Sequence, residues 1–198
     1  MAGSPDLWSR WGTWQWYGAN GVKGGQALIA EIHRIIYTSG IKSPVTTKRG
    51  VNARLRYLDS HAGRQALKDA GVSPRTLRDW KSGRTTPSAA SRKKIDNAYW
   101  TRRRENVLRS GWLKRHLNNN GAGRRVEIHA VDQSGMEAKH RRNLSDRTPT
   151  VRYVWDDLVD AYAAQDEDAV DEIWEDIISD LDSDWNAYAY VSSVGIAA

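Results

Sequence analysis

Apolar residues recur every three or four positions through most of the chain, a spacing that predicts a mainly helical protein. The predicted helices are 25–39, 47–58, a short helix ending at 70, a second beginning at 74, then 88–109, 151–164 and 167–181. Two segments, 125–131 and 186–194, alternate apolar and polar residues as half-buried strands do, and we expect them to pair. The predicted fold class is therefore α+β, mostly α: a helical body followed by a small C-terminal β-α-α-β unit.

Changes in pattern divide the chain into three predicted parts. A Trp-rich N-terminal arm, 1–22, has the aromatic spacing of neither a helix nor a strand, and a basic helical domain, 23–117, follows it. A loop rich in Asn and Gly then leads to the acidic β-α-α-β domain, 124–198. The arm is interpreted as an irregular segment packed on the body. An oligomerisation arm and a base-stacking platform are its two alternatives.

The most informative stretch is 62–83, where one helix ends, Gly71 makes a turn and a second helix begins. Ser73 is predicted to cap that second helix, with Pro74 in its first turn, where a missing N–H costs nothing. Leu77 and Trp80, three residues apart, are predicted to face inward. The arrangement resembles the helix-turn-helix motif of DNA-binding proteins, whose second helix enters the major groove.

The outward positions of this second helix and of the helix over 88–109 supply the candidate binding residues. The predicted contacts to base edges are Arg75, Thr76, Arg78 and Asp79. The predicted phosphate contacts are Lys81, Arg84, Arg92, Lys93, Lys94, Arg102, Arg103 and Arg104. A basic ridge with one acid among its members favours DNA binding over a structural helical hairpin.

Charge is distributed very unevenly along the chain, whose net charge is +6. Residues 1–150 hold 29 Lys and Arg against 11 Asp and Glu, whereas residues 151–198 hold one basic residue against 13 acids. The basic part favours a polyanion partner, and 21 of the 30 basic residues are Arg, whose planar fork suits phosphates and guanine edges. Double-stranded DNA is the expected partner.

The chain lacks most of the residue types and motifs that signal catalysis or a cofactor. The absence of cysteine rules out thiolate nucleophiles, disulfides and cysteine metal sites, and no phosphate-binding glycine loop or serine elbow occurs. The spacing of His129, Asp132 and His140 matches no common metal-ligand pattern. We therefore expect no enzyme activity, no catalytic residues, no cofactor and no metal. With neither an apolar span nor an N-terminal signal, the expected location is cytoplasmic and nucleoid-associated, with no membrane partner.

The order of these elements resembles the telomere terminal proteins of linear Streptomyces chromosomes and plasmids. The resemblance rests on Gly71-Val-Ser-Pro-Arg-Thr-Leu-Arg-Asp-Trp80, on the basic run 92–104 and on Tyr188-Ala-Tyr-Val-Ser192, and covers roughly residues 45–195. It implies binding of telomeric DNA and a role in DNA replication, with a covalent bond from a side-chain hydroxyl to the 5′ end. Several hydroxyls of the basic region, Tyr99 among them, could carry such a bond, and the resemblance assigns it to none of them in particular.

Three functions follow as hypotheses. The first is a terminal-protein-like DNA-binding protein of a linear or mobile actinobacterial-type replicon. The second is a helix-turn-helix transcription regulator, which needs a dimer interface. The third is an architectural or self-assembling DNA-binding protein, in which the acidic C-terminal domain of one copy docks on the basic body of the next. The Trp-rich arm is the other expected surface for self-association.

Overall fold

The computed structural model describes residues 14–181 and 184–197. Trp8 and Trp11 of the predicted arm lie outside this range. The predicted fold class is confirmed: the protein is mostly helical, with a small four-stranded antiparallel sheet. Among the described residues no helix is both long and apolar enough to cross a membrane.

The chain folds into two compact units whose limits differ from the predicted domains. One unit is Ile35–Ser110, and the other combines Met1–Arg34 with Gly111–Ala198. The predicted basic domain, 23–117, therefore gives its two ends to the unit that contains the sheet. The reason is that Val22 and Lys23 form an edge strand of that sheet. By sequence the Ile35–Ser110 unit holds 18 Lys and Arg against five acids, a net charge of +13.

The helices of the Ile35–Ser110 unit surround one apolar core. The last four residues of helix α1 (Gly24–Thr38) belong to this unit, and α2 (Lys48–Tyr57), α3 (His61–Asp69), α4 (Pro74–Lys81) and α5 (Ala89–Arg109) follow. The buried core consists of Val51, Leu55, Leu58, Leu67, Val72, Leu77, Ile95, Ala98 and Tyr99. Each of helices α2 to α5 contributes at least one of these side chains, so the core sets the relative positions of the four helices.

Side-chain caps explain where these helices begin. The hydroxyl oxygens of Thr47, Ser60, Ser73 and Ser88 each accept a hydrogen bond from the backbone N–H three residues later. Each cap satisfies one of the N–H groups that a helix start leaves without a partner. Local sequence therefore accounts for four of the helix starts.

The sheet of the other unit has four strands in the order β1–β4–β2–β3. These are β1 (Val22–Lys23), β2 (Arg124–Ala130), β3 (Thr150–Val151) and β4 (Tyr190–Ile196). The predicted pairing of the two long strands is confirmed, in antiparallel register with Val126 opposite Ile196. The two short strands were not predicted, because two residues are too few to show a period of two.

Helices α6 (Trp112–Asn118), α7 (Trp155–Ala164) and α8 (Glu167–Ser179) belong to this unit, as do residues 24–34 of α1. Trp155 and Trp174 are fully buried, and the Trp174 indole N–H donates to the carbonyl of Tyr188 at 2.9 Å. The predicted strand 186–194 is wrong in its first half, since Trp185–Ala189 forms a 3-10 helix. Ala187, Tyr188 and Ala189 are all buried, so the alternation of residue sizes there does not reflect alternating exposure.

Candidate nucleic-acid interface

Helices α3 and α4 are joined by the tight turn that the sequence predicts. Gly71 has a φ of +76°, the left-handed conformation that lets the chain reverse after α3. Val72 is buried beneath the turn, and the Ser73 hydroxyl accepts from the N–H of Thr76 at 3.1 Å. Pro74 occupies the first turn of α4. The turn and the start of the second helix are thus set by local chemistry.

Helix α4 presents two arginines to solvent. Leu77 is buried in the core and Trp80 packs partly buried against it, which turns Arg75 and Arg78 outward. Within the described part of the chain, neither guanidinium has a hydrogen bond, ion pair or ring contact. Their donors are therefore available to an external acceptor. An Arg fork fits the O6 and N7 acceptors of guanine in the major groove.

The other two predicted base contacts, Thr76 and Asp79, are engaged within the protein. The Thr76 hydroxyl lies 2.8 Å from the Ser73 hydroxyl, in the cap of α4. The Asp79 carboxylate accepts from Arg84 at 2.9 Å and is only 21% exposed. Both side chains position α4 and its following loop, and their contacts to bases stay a prediction.

Lys81 and Arg84, predicted phosphate contacts, are each paired with a carboxylate. Lys81 lies 2.7 Å from Asp59, which also accepts from Arg64 at 2.9 Å. These two cations, Lys81 first, lower the pKa of Asp59 below its usual value. Arg84 pairs with Asp79, as described above. A phosphate must compete with these carboxylates for both cations.

The basic residues of α5 fall into two groups. Lys93 and Lys94, near its start, are exposed, and the Lys94 ammonium lies 3.2 Å from where a Cβ on Gly71 would stand. This places a cation beside the turn that precedes α4. In contrast, Arg92 donates to the carbonyls of Pro87 and Thr46, at 3.2 and 3.3 Å.

The three consecutive arginines of α5 are less accessible than the pattern predicts. Arg102 is 12% exposed and bonds to Glu105 and Asn106, while Arg103 donates to the carbonyl and hydroxyl of Ser39. Arg104 is half-buried. Their phosphate contacts stay a prediction. The bonds of Arg102 lie within α5, whereas Arg103 joins α5 to Ser39, just after the end of α1.

A structural arginine that the sequence did not single out is Arg54. It is 4% exposed and donates to Asp96 at 2.5 Å and to the carbonyl of Ser43 at 2.8 Å. Its guanidinium also lies 5.2 Å from the centre of the Tyr99 ring. The helical spacing of a buried Arg is the same as that of an exposed one, so the sequence pattern does not reveal the burial of Arg54.

The described histidines and carboxylates do not form a metal centre. Within the described ranges no group of three or more His, Asp or Glu side chains is arranged to hold a metal ion. His129 instead lies 2.8 Å from Asp146 and lowers the pKa of that carboxyl.

Comparison with known proteins gave no significant match to a family model, a curated protein or a solved structure. The function must therefore be argued from the surface itself.

Proposed function

We propose that this protein binds double-stranded DNA through α3 and α4, with α4 as the helix that reads base edges in the major groove. The single observation that carries the proposal is the pair Arg75 and Arg78. They lie three residues apart on the exposed side of a capped helix, with no partner among the described residues. They belong to a unit of net charge +13, which supplies the general attraction to phosphates.

Accessible cations outside α4 extend the proposed interface. Lys93 and Lys94 stand at the start of α5, and Lys94 lies beside Gly71, at the turn. In helix-turn-helix complexes the reading helix lies in the groove, while neighbouring elements contact the backbone. Arg75 and Arg78 are accordingly assigned to bases, and Lys93 and Lys94 to phosphates.

The biological setting proposed for this activity is the maintenance of a linear or mobile actinobacterial-type replicon, as in telomere terminal proteins, at the nucleoid in the cytoplasm. The proposal rests on the element order 71–104 and on the resemblance described above. Among the hydroxyls that could carry the covalent bond to DNA, that of Tyr99 is unsuited, because it is buried and accepts from the N–H of Ile41 at 2.8 Å.

A selection experiment tests the DNA-reading assignment. Duplexes are selected from a random pool with the full chain, and the best sequence is compared with random duplex for the wild type, Arg75→Ala and Arg78→Ala. Each variant is expected to lose about 1–3 kcal/mol on the selected site and less on random duplex. Arg75→Lys is the matched control, because it keeps the charge and removes the two-pronged fork.

The outcomes separate the proposed functions. Equal losses on selected and random duplex would show that α4 does not read bases. A palindromic footprint on the selected site would favour a transcription regulator. Sequencing the DNA that co-purifies with the protein, with and without protease treatment, tests the terminal-protein setting, which requires protein-bound replicon ends. Salt-dissociable oligomers formed without DNA would favour the self-assembling alternative.

A further inference from the structure

An aromatic surface in the unit that contains the sheet is not explained by duplex binding. Trp16 is 85% exposed and the adjacent Tyr17 is 50% exposed. We call these two residues, with His140 and Arg142 of the neighbouring loop, the aromatic platform. Large exposed aromatic side chains at consecutive positions of one segment often mark a binding surface.

The platform is held in place from below. Ala19 forms a small buried core with Val131 and Met136, and Trp14 packs against it. Asn20 and Asp132 exchange two backbone hydrogen bonds, of 2.8 and 3.0 Å. The backbones of Gly18 and Gly135 touch: a Cβ on Gly18 would lie 2.6 Å from the Gly135 carbonyl oxygen. The segment that carries Trp16 and Tyr17 is therefore anchored on both sides of these residues, at Trp14 and at residues 18–20.

This surface contains one stack of two rings and one contact between a cation and a ring. Tyr17 stacks on His140 with ring centres 4.4 Å apart and an angle of 28° between the planes. The Arg142 guanidinium lies 5.5 Å from the centre of the Trp14 ring. Over residues 132–142, three Lys and Arg side chains meet two acids, and Lys139 pairs with Glu137 at 2.8 Å. The surface is thus strongly aromatic and weakly basic.

We propose that the aromatic platform binds single-stranded nucleic acid by stacking unpaired bases on Trp16 and on the Tyr17–His140 pair. Every base has a flat face that stacks on an aromatic ring, and this requires strands whose bases are not already stacked in a duplex. Arg142 adds a cation suited to the phosphates between those bases. An apolar protein partner would not use the positive charge, and a basic one would be repelled by it.

The weak charge of the platform leads to a second prediction, about how single-strand binding depends on salt. The part of single-strand binding that is due to the platform should depend little on salt, with a slope of about 0.7 to 1.4 units for the one or two phosphates it can neutralise, at about 0.7 per phosphate. Duplex binding by the +13 unit should depend on salt much more steeply. The two activities are separable by salt as well as by mutation.

The test measures the binding of the full-length protein to a fluorescent 15-nucleotide oligo-dT and to a random duplex of equal length. The double variant Trp16→Ala/Tyr17→Ala is expected to lose about tenfold or more in affinity for oligo-dT, as the loss of stacked bases does. Its duplex affinity should stay within about twofold. The double variant Arg75→Ala/Arg78→Ala should show the reverse pattern, so a failure of either proposal is visible by itself.

Two further variants serve as controls for the platform. Tyr153→Ala removes another ring, 86% exposed, from outside the platform and should leave oligo-dT binding unchanged. Gly18→Ala keeps both rings but strains a φ of +90° and meets the Gly135 carbonyl, so it should weaken oligo-dT binding by displacing the platform. Unchanged oligo-dT affinity in the Trp16/Tyr17 variant overturns the proposal. So does an equal loss on duplex, or a change in oligomeric mass in place of a change in strand binding.

Discussion

The carboxylate of Asp59, which directly follows the C-cap of α2, lies 2.7 Å from the ammonium of Lys81, the last residue of α4. It also accepts from Arg64 of α3, so one side chain joins three helices of the helix-turn-helix region. The pair is half-exposed, at 35% and 46% for the two side chains, and salt screens such pairs. Asp59 is thus a positioning residue that also competes with phosphate for Lys81.

Replacing Asp59 with Asn should release Lys81 and Arg64 for phosphate. We expect Asp59→Asn to bind random duplex a few-fold more tightly than the wild type at low salt, with the difference shrinking above about 0.3 M salt as screening increases. Fluorescence anisotropy over a salt series measures this. Asp69→Asn, a neutralised acid elsewhere on α3, is the control for a general charge effect, and an equal gain there would contradict a specific role for Asp59.

The same residue should affect stability in a defined pH range. Because Lys81 and Arg64 lower the pKa of Asp59 in the folded state, ionised Asp59 stabilises the fold at neutral pH. That contribution is lost as the pH falls below the ordinary Asp value of about 3.9 and through the lower folded pKa. Thermal unfolding should show a wild-type advantage over Asp59→Asn at pH 7 that disappears toward pH 2–3. A pH-independent difference would contradict the linkage.

His116 gives a second pH dependence, of the same sign but in a different range. Burial, and then the charge of Arg124, lower the pKa of His116, whose ring stacks on Trp112 at 4.9 Å. The unfolded chain therefore binds the proton more readily, and stability should fall as the pH drops below about 6.5. The wild-type melting temperature should decline between pH 7 and 5 more than that of His116→Gln. His61→Gln, at an exposed position of α3, should keep the wild-type decline.

The two groups of cations on α5 should differ in their effect on duplex binding. Lys93→Gln/Lys94→Gln should reduce the slope of log affinity against log salt by about two units, since each lost phosphate contact removes about 0.9. Arg102→Gln should change the slope by clearly less than one unit, because its guanidinium is already bonded to Glu105 and Asn106. A larger effect from Arg102 than from the lysine pair would reverse the assignment.

Arg54 should be the most important arginine of this unit for stability. Arg54→Ala breaks its pair with Asp96 and leaves the carbonyls of Ser43 and Gly50 without this donor. Loss of one partner of a buried pair costs about 3–5 kcal/mol, and because Asp96 is 28% exposed we expect about 2–4 kcal/mol by urea unfolding. Arg56→Ala, on the exposed side of the same helix, should change stability by less than about 0.5 kcal/mol.

Features governed by neighbouring residues were predictable from the sequence. The helix-turn-helix region is one example: Gly71 for the turn, Val72 beneath it, Ser73 for the cap, and Leu77 inward with Arg75 and Arg78 outward. Each depends on backbone conformation or helical spacing over a few residues. The same holds for β2, whose alternation over 125–131 is visible in the sequence, whereas only residues 190–194 of β4 lay inside the predicted strand.

Features that depend on residues distant in the chain were decided only by the tertiary structure. The sequence around Lys81 does not indicate that Asp59 is its partner, and the sequence around Arg103 does not indicate Ser39. Each pair is brought together by helix packing. A basic residue has the same helical spacing whether its charge is free for DNA or already paired, as Arg75 and Arg54 show. The sequence by itself determined which residues carry charge and which helices present them. Only the packing of the helices decided which charges were left without an internal partner, because electrostatic pairing depends on distance in space and not on separation along the chain.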